Sequence, residues 1–171
     1  MKLLVIRHAP AEDRLQYALL GQEDELRPLT EEGRLRMRRA AKGLASIAPR
    51  PDRLLASPLV RARQTAEIVA NAFGKLTVTE EEALAPGVGP RKVLSRLASL
   101  GDSPELCLAI VGHEPDLGEL VGAALGARGA EAFPFKKGGA ALLEFPETPK
   151  PGAAQLRWLL PPGMLRALAE A

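Results

Sequence analysis

Cysteine, tryptophan, tyrosine and asparagine each occur once in this chain of 171 residues, and histidine only twice. The lone cysteine, Cys107, forbids an internal disulfide and offers no metal-binding spacing; set in an apolar run, it reads as a small buried core residue. No apolar stretch is long enough to span a membrane, and the first residues lack the long apolar segment and cleavage site of a secretory signal. The expected address is cytoplasmic, without a membrane partner. A net charge of +2 makes no case for nucleic acid. The dense arginines at 34, 36, 38 and 39 read as one solvated helix face. Neither a P-loop nor GxGxxG is present, so the usual signatures of nucleotide binding are missing. Two histidines, with no HxH, HExxH or CxxC spacing, make too thin a ligand set for a metal, and no cofactor is expected.

What is present is ordinary for a globular protein: 46% hydrophobic and 26% charged residues. No repeat or long linker divides residues 1–171, which predicts a single domain. Residues 3–6 (LLVI) are short, aliphatic and partly β-branched, a buried strand ending in Arg7-His8. Thr30, followed by Glu31-Glu32, places a hydroxyl cap and two acids at a helix start. That helix is expected to run until Pro49. A second strand covers 53–57 (RLLAS) and a helix 59–73, ended by Gly74. A third strand (LTVT, 76–79), a helix near 93–100, a fourth strand (LCLAIV, 106–111) and a helix over 115–125 follow. Residues 140–145 and 155–160 read as a last pair of strands, antiparallel at the sheet edge, before a short terminal helix at 164–169. Strands alternating with helices predict a three-layer α/β/α sandwich, its sheet mostly parallel with an antiparallel edge strand.

Three of these strands end in polar residues of matching chemistry. The first gives Arg7-His8, the second gives SPLVRARQT over 57–65, and the fourth gives Gly112-His113. In a parallel sheet all three ends converge on the carboxyl edge, close to helix N-termini that favour anions. Both histidines of the chain fall there. A histidine ring nitrogen can attack phosphorus, and arginine presents a planar fork to phosphate oxygens. Arg63 is a weaker candidate, because two residues along a helix it points away from Arg61.

Arg7-His8-Ala9, the SPxxRAxQT block and the Gly112-His113 pair, in that order, resemble the histidine phosphatase superfamily, also described as phosphoglycerate-mutase-like. The runs RPLT at 27–30 with Gly33, GHEPDL at 112–117, KKGGAALLEF at 136–145 and WLLPPGMLRAL near the end narrow the likeness to its small SixA-type phosphohistidine phosphatases. That resemblance implies that His8 is the nucleophile and forms a covalent phosphohistidine, which water hydrolyses. It further implies that Arg7, Arg61 and His113 hold the phosphoryl oxygens. Ser57 either donates a hydroxyl to phosphate or caps the following helix; both readings stay open.

Larger members of that superfamily carry a glutamate general acid in an inserted segment. Here the matching stretch, 80–87 (EEEALAPG), is short, and Glu82 is the one residue in it put forward as an acid. Weak acid assistance handicaps an alkoxide leaving group more than an imidazole, whose pKa lies near 6.5. The lack of a large inserted cap also leaves room for a protein side chain. The expected partner is therefore a histidine-phosphorylated protein. A small-molecule phosphomonoesterase is the alternative, a non-catalytic phospho-binding module a more distant one, and oligomeric state is left open.

Overall fold

The computed structural model describes residues 1–101, 103–127 and 133–170. Six strands form one sheet: β1 (Lys2–Arg7), β2 (Arg53–Ala56), β3 (Val78–Glu80), β4 (Cys107–Gly112), β5 (Ala140–Glu144) and β6 (Gln155–Leu160). Their spatial order is β3-β2-β4-β1-β5-β6. The first four are mutually parallel. β5 runs antiparallel to β1 and to β6, so the reversed strand sits one place in from the edge. The third strand starts two residues later than its sequence pattern suggests, at Val78.

The alternation of side chains along each strand divides the core. Leu4, Ile6, Leu54, Ala56, Ala109 and Val111 face one layer, where α2 (Glu31–Ile47), α3 (Val60–Ala72) and α6 (Pro162–Leu168) pack. Leu3, Val5, Leu55, Leu108 and Ile110 face the other, covered by α4 (Pro90–Ser99) and α5 (Asp116–Leu125). β1 and β4 are buried on both faces, which explains their continuous apolar runs. Cys107 is buried at the start of β4, and burial pushes the pKa of its thiol up to about 11. Among the described residues no helix is long and apolar enough to cross a membrane.

α2 begins as its sequence indicates: the Thr30 hydroxyl accepts from the Gly33 N–H at 2.9 Å, with Glu31 and Glu32 in the first turn. A short α1 (Arg14–Leu19) behaves differently and buries none of its residues. It leads into a 3-10 turn, Asp24–Leu26, that lies against α3.

Two glycines let backbones meet at van der Waals limits. A Cβ at Gly33 would lie 2.1 Å from the carbonyl oxygen of Pro10, and one at Gly43 would lie 1.8 Å from that of Leu165. Gly43 therefore sets the spacing of α2 against α6. Alanine in a helix normally stabilises it by about 1 kcal/mol over glycine. Gly43→Ala is expected to reverse that sign, costing about 1–3 kcal/mol through overpacking and lowering Tm by several degrees. A thermal melt that shows an unchanged or raised Tm would contradict this contact.

Candidate active site

β1 and β4 lie side by side, yet the chain leaves them toward opposite layers: β1 feeds α2 on one face and β4 feeds α5 on the other. Such a divergence opens a crevice at the carboxyl ends of an α/β sheet. The register places Arg7 opposite Gly112, and the ladder extends one step further, with the His8 N–H donating to the Gly112 carbonyl at 3.0 Å. On the other flank, Gly138 N–H lies 3.2 Å from the Arg7 carbonyl and 3.1 Å from that of His8. The strand end is thus held from both sides.

This register brings the two histidines together, with ring centroids 5.1 Å apart and planes tilted by 51°. His8 Nδ1 lies 2.7 Å from the Ala9 carbonyl oxygen. A carbonyl only accepts, so Nδ1 carries the proton and Nε2 keeps its lone pair. Burial drives the His8 pKa down to about 4; the Ala9 bond opposes this, while Arg61, Arg7 and Lys137 reinforce it. At neutral pH the ring is an uncharged base.

His113 is driven further, to about 3, by burial and then by the charges of His8 and Arg61. Its Nε2 lies 2.8 Å from Ser57 Oγ. Ser57 Oγ also accepts a long bond, 3.4 Å, from the Leu59 N–H. Ser57 caps no helix: α3 has Leu59 at its N-cap with no side-chain cap, and the Ser57 hydroxyl meets the histidine instead.

Arg61 sits in the first turn of α3 and is 5% exposed. Its terminal nitrogens donate to Asp24, Nη1 to the carbonyl at 2.8 Å and Nη2 to Oδ2 at 3.0 Å. Arg7 Nη1 donates to the Phe135 carbonyl, and the Phe135 N–H in turn donates to Glu114 Oε1 at 2.7 Å. Burial lowers the pKa of both arginines, an effect opposed by Glu114 at Arg7 and by Asp24 at Arg61. Among the described residues four buried side-chain polar atoms lack a partner: Arg7 Nε, Arg61 Nε, His113 Nδ1 and, away from this cluster, Arg63 Nε. Orphaned buried polar groups are uncommon. Three of them in one constellation of cations and neutral imidazoles make a site suited to an oxyanion.

The structure thus brings together Arg7, His8, Ser57, Arg61 and His113. Glu82 is exposed on a 3-10 turn, and its carboxylate has no hydrogen bond or ion pair among the described residues. Arg63 pairs with Glu80 at 2.8 Å on the surface. Among the described residues no group of three or more histidine, cysteine or acidic side chains is arranged to hold a metal.

Sequence reasoning gave no role to Asp24, Arg27, Thr65, Glu114 and Lys137. Thr65 Oγ1 accepts from the Ala9 N–H at 3.0 Å and donates to the Arg61 carbonyl at 2.7 Å, coupling the His8 segment to α3. Arg27 is buried and donates through Nε to Asp24 Oδ1 at 2.8 Å. Lys137 has its pKa lowered by burial and by the nearby charges of Arg7, Arg27 and Arg61. Asp24 lies in an unremarkable acidic stretch and Glu114 within the GHEPDL run, and only the fold reveals their partners.

The model of the histidine phosphatase superfamily (branch 1) matches residues 3–86. An uncharacterized protein of Picosynechococcus sp. (strain PCC 7002) is 40% identical over 119 residues, which is 70% of each chain. The crystal structure of the protein histidine phosphatase SixA complexed with tungstate superimposes with a TM-score of 0.78 at 24% identity, covering 96% of this chain and 99% of that one. A mycobacterial glucosyl-3-phosphoglycerate phosphatase gives a TM-score of 0.66 at 18% identity over 91% of this chain and 96% of its own. At these identities the structural likeness is one of fold. With the family model across the first three strands and the close relative beyond it, the chain belongs to the histidine phosphatase superfamily.

Proposed function

We propose that this phosphatase removes the phosphoryl group from phosphohistidine on a protein, through a covalent phosphohistidine at His8. The observation that carries the chemistry is His8 itself: a neutral ring, its Nδ1–H fixed on the Ala9 carbonyl and its Nε2 lone pair free, ringed by the cations Arg7, Arg61 and Lys137. Nε2 attacks phosphorus in line; a P–N bond to His8 forms as the bond to the leaving group breaks. Arg7 Nε, Arg61 Nε and His113 Nδ1–H supply donors to the equatorial oxygens, where charge builds in the transition state. Water then cleaves the P–N bond, returning neutral His8 and inorganic phosphate. Ser57 acts through His113, to whose Nε2 it is hydrogen-bonded. In SixA a tungstate, an oxyanion of comparable shape, is bound, which supports an oxyanion site on this fold.

The leaving group favours phosphohistidine. The carboxylates beside the histidine pair are already engaged, Asp24 by two arginines and Glu114 by the Phe135 N–H, and Glu82 is on the surface. An alkoxide needs a proton to depart, whereas an imidazole leaves as a neutral base. The surface beside the site also suits a protein. Leu15, Leu19 and Leu20 are 75%, 86% and 73% exposed at α1, just ahead of the turn whose Asp24 holds Arg61. Contiguous exposed apolar side chains of this kind mark protein-contact surfaces.

Incubation with a radioactive phosphohistidine protein is expected to place an acid-labile label on wild type, and none on His8→Ala, with turnover falling by at least about three orders of magnitude. Persistent label on His8→Ala would remove His8 from its role. Efficient hydrolysis of small phosphate esters without protein dephosphorylation would replace the substrate with a metabolite. The ionisation state has its own check. Imidazole NMR titration, with His113→Ala assigning the two rings, is expected to show both neutral down to about pH 5; a ring titrating near 6.5 would contradict the burial argument. Because the folded-state values lie below that of an unfolded histidine, the unfolded chain binds more protons in this range. Their contribution to stability is therefore present above about pH 6.5 and lost as pH falls toward 4 and 3.

A further inference from the structure

Asp24 has no place in the reaction above, yet it touches more of the cationic cluster than any other acid. Its carbonyl accepts from Arg61 Nη1 and its Oδ2 from Arg61 Nη2, while Oδ1 accepts from Arg27 Nε; Arg14 Nε stands 3.6 Å from Oδ1. Burial alone would raise the Asp24 pKa, but the Arg27 bond and the charges of Arg61, Arg27 and Arg14 hold it below the ordinary value. Asp24 therefore stays ionised wherever the enzyme works.

Two roles fit an acid in such a place. Asp24 is either a stand-in anion that substrate phosphate must push off Arg61, or a fixed clamp that aims Arg61. We propose the second: Asp24 is a positioning residue, which holds one N–H of each terminal nitrogen of Arg61 and so aims the remaining N–H groups, Nε–H among them, at the phosphoryl oxygens. Three features argue for it. First, the hold on Arg61 is partly through the Asp24 carbonyl, which belongs to the backbone of the 3-10 turn and does not swing away with the side chain. Second, releasing Arg61 would also strip Arg27, buried at 8% exposure, of its carboxylate partner. Third, Asp24 offsets crowded cations: Arg7, Arg14, Arg27, Arg61 and Lys137 gather around it and Glu114, so a carboxylate fixed there lets Arg61 stay in place beside its like charges until the oxyanion arrives.

The inference rests on the oxyanion pocket proposed above but not on the identity of the natural substrate, so its test uses inorganic phosphate and p-nitrophenyl phosphate. Phosphate binding by calorimetry and steady-state turnover are compared in wild type, Asp24→Asn and Asp24→Glu, each well below its own melting transition. A clamp predicts that Asp24→Asn weakens phosphate binding by about ten-fold or more and lowers kcat, with Asp24→Glu recovering part of both. Phosphate binding to Asp24→Asn that is unchanged or tighter, with unchanged or raised kcat/KM, would make Asp24 a displaceable stand-in and overturn the proposal. Failure of wild type to bind phosphate would overturn both the pocket and the clamp. Phosphate binding that follows the clamp pattern, in an enzyme inactive on phosphohistidine proteins, would sustain the clamp and reject only the substrate.

Discussion

Everything at this site depends on the pairing of β1 with β4. Because Arg7 stands opposite Gly112 and the His8 N–H closes one more rung on the Gly112 carbonyl, the residues following both strands emerge together. A shift of register by one residue would send His8 and His113 to opposite sides of the sheet. The register is in turn fixed by burial: Leu3, Leu4, Val5 and Ile6 pair with Leu108, Ala109, Ile110 and Val111, all fully buried, so no slipped pairing keeps both layers apolar. The chemistry is therefore anchored in the hydrophobic effect before any polar group acts.

On that frame the polar groups solve an electrostatic difficulty. A nucleophilic imidazole must be unprotonated, and a phosphate pocket must be cationic; both conditions push the histidines the same way. Burial disfavours the imidazolium, and each arginine nearby disfavours it further. The cost falls on the arginines, which cannot shed their charge and must find partners out of water. Asp24 and the Phe135 carbonyl meet part of that need, and the orphaned Nε atoms leave the remainder for the oxyanion.

Much of this was legible in the sequence, for physical reasons that differ by element. The strands and helices could be read because apolar runs and the Thr30 cap are local signals, and β1 through α6 appear in the expected order. Arg7, His8, Arg61 and His113 were legible because each follows a strand end and their residue types share one chemistry. Ser57 was left between two roles because its choice depends on a tertiary bond to His113, 56 residues away. Asp24 was invisible for the same reason: 37 residues separate it from Arg61, and nothing in a run such as QEDELRPLT marks which acid turns inward. Glu82 shows the converse. A carboxylate in a suggestive stretch takes its environment from the fold, and here the turn leaves it exposed and unpaired among the described residues.

The disposition of acids bears directly on what such a pocket can release. Activation of a P–N bond in phosphohistidine requires that the ring's other nitrogen be protonated, a proton the substrate can draw from solvent because its reference pKa lies near neutrality. A P–O bond to an alcohol has no such reservoir and depends on an acid held within about 3 Å of the departing oxygen. Asp24 is held ionised by two arginines, and Glu114 Oε1 is held by the Phe135 N–H while burial raises its pKa; on the proposed reading, the proton economy of the site fits a leaving group that brings its own. The same engagement that makes Asp24 a poor acid makes it a good strut, since a carboxylate held by charged donors keeps its geometry as the phosphoryl group arrives. On the proposed reading, selectivity for the leaving group and rigidity of the phosphate cradle are thus two consequences of one arrangement.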